Sequence, residues 1–236
     1  MNKLLNQIAE NFLFLLVCIL IGTALAIFSR LGEKKLSLRK ISSTRRLCLI
    51  AICGAIASIL HIFDFPLPFL APGFYKLDFS EVPVMLCGFY LGPSATVACE
   101  AVKIFLKLVL KGTTTAFVGD FANFAVGCSL VLPAAFVYHT QKSRKSAIFG
   151  LIIGTIVLTV FGSAFNGLYL IPRFSQLYGM PLDAIVAMGT AINGGITSLW
   201  SLVLLAVVPL NLIKGITVSL LTLLLYKRVA RPLFDR

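Results

Sequence analysis

Two polar residues, Asn211 and Lys214, interrupt the last apolar run of the chain, within Pro209-Leu210-Asn211-Leu212-Ile213-Lys214-Gly215. That run extends from about Leu199 to Tyr226. An ammonium near the middle of a membrane helix costs about 3 kcal/mol on insertion scales, so it has to face a bundle interior or a wet cavity and find acceptors there. A spacing of three puts both side chains on one helix face. Pro209 withholds a backbone donor just before them. An amide offers a donor and an acceptor, and an ammonium offers donors. The residues alone leave three roles open for Lys214: the polar floor of a pocket, a side chain snorkelling to a headgroup, or a partner for an acid.

Further polar residues recur in or beside apolar runs. Glu100, Lys103 and Lys107 share one face of the run from Ser94 to Leu110, and that face is expected to look inward. Mutual neutralisation of Glu100 and Lys103 explains them equally well. Asn123 lies close to the outer end of the run Phe121 to Tyr138, and Asn166 near the outer end of the run Ala147 to Ile171. A membrane Asn often serves only to join helices. Asp120 is expected to cap the helix that follows it. Lys76, Asp78 and Glu81 stand near the end of Asp64 to Ser80, a stretch whose prolines, glycine and aromatics exclude a regular helix. Those aromatics form either an interfacial belt or the cap of a pocket. Convergent donors and acceptors in an aromatic-rich apolar bundle suit a small planar ligand with a polar edge.

The elements that must position these groups are membrane helices. Of 236 residues, 58% are hydrophobic and 13% charged, against about 25% charged in soluble domains. The predicted fold class is all-α, a polytopic membrane helix bundle. Phe12 to Phe28 is expected to be an extra N-terminal transmembrane helix, within a unit 1–29. A basic cytosolic linker, 30–46, follows, and a membrane domain, 47–236, holds the remaining six spans. The first core span, Leu47 to Phe63, carries two small-residue pairs, Ala51 with Ala55 and Gly54 with Ser58. Such a face admits another helix closely, either inside the bundle or on a partner. A tight turn is expected at Leu91-Gly92-Pro93-Ser94, with Pro93 in the first turn of the next helix. Pro172 to Pro181 reads as an outer loop, Leu182 to Ser198 as a short re-entrant or interfacial helix, and His139 to Ser146 as a basic loop with His139 solvated.

The net charge of +12 is not spread along a soluble face, so nucleic acid is a poor partner. Seven Lys and Arg lie between Arg30 and Arg46, three between Lys142 and Lys145, and four between Lys227 and Arg236. With six core spans every basic cluster falls on the cytosolic side, the C-terminus is cytosolic and the N-terminus outside. Attraction to anionic lipid follows. The six cysteines lie in apolar runs without a CxxC pair, which argues for small hydrophobes rather than metal ligands or disulfides. No P-loop, HExxH or GxSxG is present. His61 and His139 have no evident catalytic company, and an enzyme is not expected.

Five stretches resemble the riboflavin-binding branch of the S components of energy-coupling-factor (ECF) vitamin transporters. They are Tyr75-Lys76-Leu77-Asp78-Phe79-Ser80-Glu81-Val82-Pro83, Gly88-Phe89-Tyr90-Leu91-Gly92-Pro93, Lys111-Gly112-Thr113-Thr114-Thr115, Ala122-Asn123-Phe124 and Pro209-Leu210-Asn211-Leu212-Ile213-Lys214-Gly215. The resemblance covers about Arg45 to Leu233. It implies a six-helix core in the cell membrane that captures riboflavin from outside. The partners implied are a transmembrane coupling protein and two cytosolic ATPases. Riboflavin is then substrate, and no cofactor or metal is implied. Asn211 and Lys214 inherit flavin contacts, and Asn166 and Asn123 correspond to asparagines of the family's helices. The loop Asp64 to Ser80, with Lys76 and Asp78, would line and cover the pocket. Ala51 and Ala55 match the face that meets the coupling protein. Asp120 stands where family members often carry Glu, and the extra helix lies outside the family pattern.

Overall fold

Hydroxyls and prolines set where the helices start in the computed structural model, which describes residues 12–36, 38, 41–113 and 115–234. The expectations for residues 1–11, for Ser37, Arg39 and Lys40 of the linker, for Thr114 and for residues 235–236 lie outside the described residues. α1 (Phe12–Glu33) is the N-terminal helix. Ser42 accepts from the backbone N–H of Arg45 and opens α2 (Ser43–Ile62) as its N-cap. α3 (Glu81–Leu91) and α4 (Pro93–Lys111) are separated only by Gly92. Its φ of +106° is a conformation that glycine adopts readily, and Pro93 takes the first turn of α4.

α5 (Val118–Gln141) and α6 (Arg144–Phe165) are joined by two residues, with Ser143 accepting from Ser146 N at 3.1 Å. His139 is therefore not solvated in a loop. The reversal is compressed into a left-handed Lys142, α5 runs on past His139, and its buried Nε2 lies 2.9 Å from the Gly88 carbonyl oxygen of α3.

The expected outer loop at Pro172 is also corrected. α6 passes through a π-helical segment, Asn166–Leu170, into α7 (Ile171–Tyr178). Of the stretch Leu182 to Ser198, expected as one short helix, only α8 (Leu182–Thr190) is helical, and 191–198 form turns. α9 (Leu199–Leu202) likewise passes through a π segment, Val203–Val207, into α10 (Val208–Phe234). A proline follows each π segment two residues on, Pro172 in one case and Pro209 in the other. A proline neither donates to the carbonyl four residues back nor leaves its ring room beside it. Those carbonyls belong to Leu168 and Leu205, inside the two wide turns. The π geometry accommodates the proline locally, so the helix continues where the sequence reads as a break.

Among the described residues, four helical stretches are long and apolar enough to cross a membrane: Ser43–Ile62, Val118–Gln141, Arg144–Tyr178 and Leu199–Tyr226. Between them lie the charged α4 and the short α3. Ten of the eleven α3 residues are buried, because α2, α4, α5 and α10 surround it. Met85, Cys87, Leu130, Leu158 and Val218 belong to this core. Exposed Ile52, Ile56, Ile156, Leu204 and Leu224 suit contact with lipid. The chain is an all-α polytopic membrane bundle in which all six cysteines are free.

α1 lies against α4 and α5. Leu25 and Ala26 pack on Val97, Phe124 and Cys128, and Phe28 meets Phe136 edge-on. At its end Glu33 accepts from Ser94 N at 2.6 Å and Ser94 Oγ at 2.7 Å, supplying an anion at the start of α4. Arg46 approaches the same carboxylate at 3.5 Å.

Between α2 and α3 the chain forms a small antiparallel ribbon, Phe65–Pro66 with Lys76–Leu77. The ribbon's loop is anchored by Ala71, fully buried among Ile171, Ile185, Ile196 and Val203.

Candidate ligand-binding site

Under this loop lies a cavity of about 430 Å³, within the usual range for small-molecule sites. Asn211, Lys214, Asn166, Asn123, Lys76 and Asp78 all line it. They come from α10, the π segment after α6, α5 and the loop, so six positions spread over more than 130 residues share one space.

One wall is built of amides. Asn211 Nδ2 donates to Ser163 Oγ at 3.2 Å. Asn166, first residue of its π segment, donates from Nδ2 to the Gly162 carbonyl at 2.8 Å. Its Oδ1 accepts from Tyr75 OH at 3.0 Å, which ties the covering loop to this wall. Each asparagine thus keeps hydrogen-bonding capacity beyond these contacts. Asn123 lines the cavity half-buried, its side chain without a hydrogen bond to another described residue.

The rest of the inner lining is charged. Lys214 Nζ donates to Asp78 Oδ2 at 3.2 Å and lies 3.0 Å from Glu81 Oε1. Two of the roles open from sequence hold together: Lys214 faces the cavity and pairs with acids. Asp78 Oδ1 accepts from Ser80 N at 2.9 Å, closing the end of the loop. Its Oδ2 lies 3.3 Å from His61 Nδ1 of α2. Behind Glu81, Lys103 stands 2.7 Å from Glu100 and 3.4 Å from Glu81, all three away from solvent.

At the rim, Lys76 and Lys111 share Asp64 at 3.1 and 3.4 Å. Lys107 pairs with Asp120 and donates to the Gly112 carbonyl at 3.0 Å. Asp120 does not cap α5. Thr115 Oγ1 accepts from Gly119 N at 2.9 Å and Thr113 Oγ1 from Phe117 N at 3.0 Å, so the threonines take the free N–H groups and Asp120 is left to Lys107.

Sequence reasoning missed Tyr75, Ser163 and His61 as neighbours of the site, and it left Glu81 without a role. Ser163 had a signal, since it precedes Asn166 by three and shares its face. Glu81 had one too, because two intramembrane lysines require acids. Ala51 and Ala55 lie away from the cavity, with Ala51 exposed and Ala55 half-buried. The second pair, Gly54 and Ser58, is buried, with Gly54 facing Val102 of α4.

The arrangement can hold and orient a planar polar ligand by hydrogen bonds. Comparison with known proteins agrees with a binding rather than a reacting site. The family described as ECF transporter, substrate-specific component, matches residues 45–226. The chain is 38% identical over 199 residues to the riboflavin transporter RibU of Staphylococcus aureus (strain TCH60), covering 84% of this chain and 96% of that one. It is 31% identical over 183 residues to the riboflavin transporter FmnP of Bacillus subtilis (strain 168), covering 77% and 90%. A solved structure described as "Structure and mechanism of the S component of a bacterial ECF transporter" superposes with a TM-score of 0.63 at 38% identity, over 82% of this chain and 99% of that one. A buried amide-and-ammonium cavity inside a membrane bundle, matched along nearly all of its relatives' length, places this chain in the family of ECF transporter substrate-specific components.

Proposed function

We propose that this chain captures riboflavin from outside the cell and delivers it inward together with an ATP-driven ECF module. The observation that carries the reading is the cavity itself: all six residues singled out from the sequence line one space, and the relatives that match over most of the chain are named riboflavin transporters. In this reading Asn211, Asn166 and Lys214 hold the polar edge of the flavin ring or its ribityl hydroxyls. Asn123 adds an amide from α5. Lys76 and Asp78 belong to the covering loop, and Tyr75 fastens that loop to Asn166.

The module would comprise a transmembrane coupling protein and two cytosolic ATPases. Its docking face on this subunit would be the Ala51 and Ala55 side of α2. The packing of α1 on α4 and α5 leaves that side uncovered, which favours the assignment. The N-terminus lies outside and the C-terminus in the cytosol. The chain divides into an extra helix (1–29), a basic linker (30–46) and the substrate-binding domain (47–236).

Equilibrium titration of the purified chain with riboflavin, followed by quenching of flavin fluorescence, tests the ligand. Saturable quenching that other vitamins fail to compete away is expected. Competition by an unrelated vitamin at equal concentration would move the assignment to that vitamin.

A further inference from the structure

We propose that Glu81 is a positioning residue for ligand capture: its carboxylate, outside the cavity, aims the Lys214 ammonium into it. The inference rests on the reading that Lys214 contacts the ligand. A free lysine side chain is flexible over four methylenes and does not present its charge in one place. Here Nζ is fixed from two sides, by Asp78 at 3.2 Å and Glu81 at 3.0 Å. The two acids differ in what holds them. Asp78 ends the covering loop. Glu81 begins the interior helix α3, is 1% exposed and does not line the cavity.

Glu81 is itself braced. Its Oε2 accepts from Ser80 Oγ at 3.3 Å, and Lys103 approaches its Oε1 at 3.4 Å. Lys103 in turn donates to Ser80 Oγ at 3.2 Å and stands 2.7 Å from Glu100. The Glu100 carboxylate lies against Gly127 of α5, where a Cβ would come within 2.6 Å of its oxygen. Glu81 therefore connects the lysine in the cavity to α4 and α5. Such a network keeps its geometry while every member has partners.

The ion count makes the idea testable. Three carboxylates, of Asp78, Glu81 and Glu100, meet two ammoniums, of Lys103 and Lys214. Glu81→Gln leaves two of each, with Lys214 beside Asp78 and Lys103 beside Glu100, so the fold is retained. Riboflavin affinity is measured by fluorescence quenching on the full chain in detergent, for Glu81→Gln alone and combined with Lys214→Met or Asn211→Ala. Glu81→Gln alone is expected to weaken binding about tenfold, the scale of one hydrogen bond to a charged group. In the Lys214→Met background it adds nothing further. In the Asn211→Ala background its tenfold loss persists, because Asn211 is held by Ser163, outside this ionic network. A general distortion of the bundle would instead change both cycles alike. Glu81→Asp keeps the charge but shortens the arm, and carries the same cycles if the amide variant does not fold. Wild-type affinity in Glu81→Gln, or losses that multiply with Lys214→Met, would overturn the positioning role. Absence of riboflavin binding by the wild-type chain would instead overturn the ligand assignment on which it rests.

Discussion

The two walls of the cavity solve the burial of polar groups differently. On the charged wall, Lys214 and Asp78 line the cavity, and Glu81, Lys103 and Glu100 behind them complete a network across the loop, α3, α4 and α10. Removing either lysine leaves a buried carboxylate without its partner, so this wall belongs to the fold as much as to the site. On the amide wall, Asn211 and Asn166 lean on one hydroxyl, one carbonyl and Tyr75. Neutral groups cost far less to leave unpaired. The contrast separates two kinds of polar residue in a membrane bundle: those that hold helices together and those available for a ligand.

Mutations sharpen that contrast in order of expected effect. Lys103→Met, at a residue that does not line the cavity, strands Glu100 and leaves Asp78 and Glu81 to share Lys214, and is expected to destabilise the bundle by about 3 to 5 kcal/mol. A lower thermal-unfolding temperature in detergent reads this out, and an unchanged one would mean the network holds nothing together. Lys214→Ala is expected to weaken riboflavin binding by about 1 to 3 kcal/mol and to lower the unfolding temperature as well. Unchanged affinity in a calorimetric titration would remove Lys214 from the site. Asn211→Ala should cost about 1 kcal/mol of binding while unfolding stays near wild type, and parallel losses in both would erase the distinction between the walls. Glu33→Gln, far from the cavity, should lower stability by about 0.5 kcal/mol through the start of α4 and leave flavin affinity untouched.

Much of this was legible in the sequence where one side chain or one run carries the signal. The apolar runs marked the four long spans because the bilayer sets a length, and the spacing of Asn211 and Lys214 put them on one face. Gly92-Pro93 marked the tight turn because each residue has a single strong backbone preference. What escaped depended on partners distant in the chain. Glu81 meets Lys214 across 133 positions, and no local pattern links them. Tyr75 reads as one aromatic among several until the loop folds onto Asn166. Pro172 reads as a helix end, yet the π segment before it absorbs the missing donor. His139 reads as solvated beside Lys142 and Arg144, yet the reversal takes only two residues. For the binding residues the sequence indicated a common pocket, and the cavity gathers all six of them.

The most direct test of the central claim is the visible absorption spectrum of the chain purified from riboflavin-containing medium and washed. One bound flavin per chain, seen as a blue absorption band that the protein alone lacks, is the predicted result. A colourless protein that also fails to quench added riboflavin would contradict the flavin assignment.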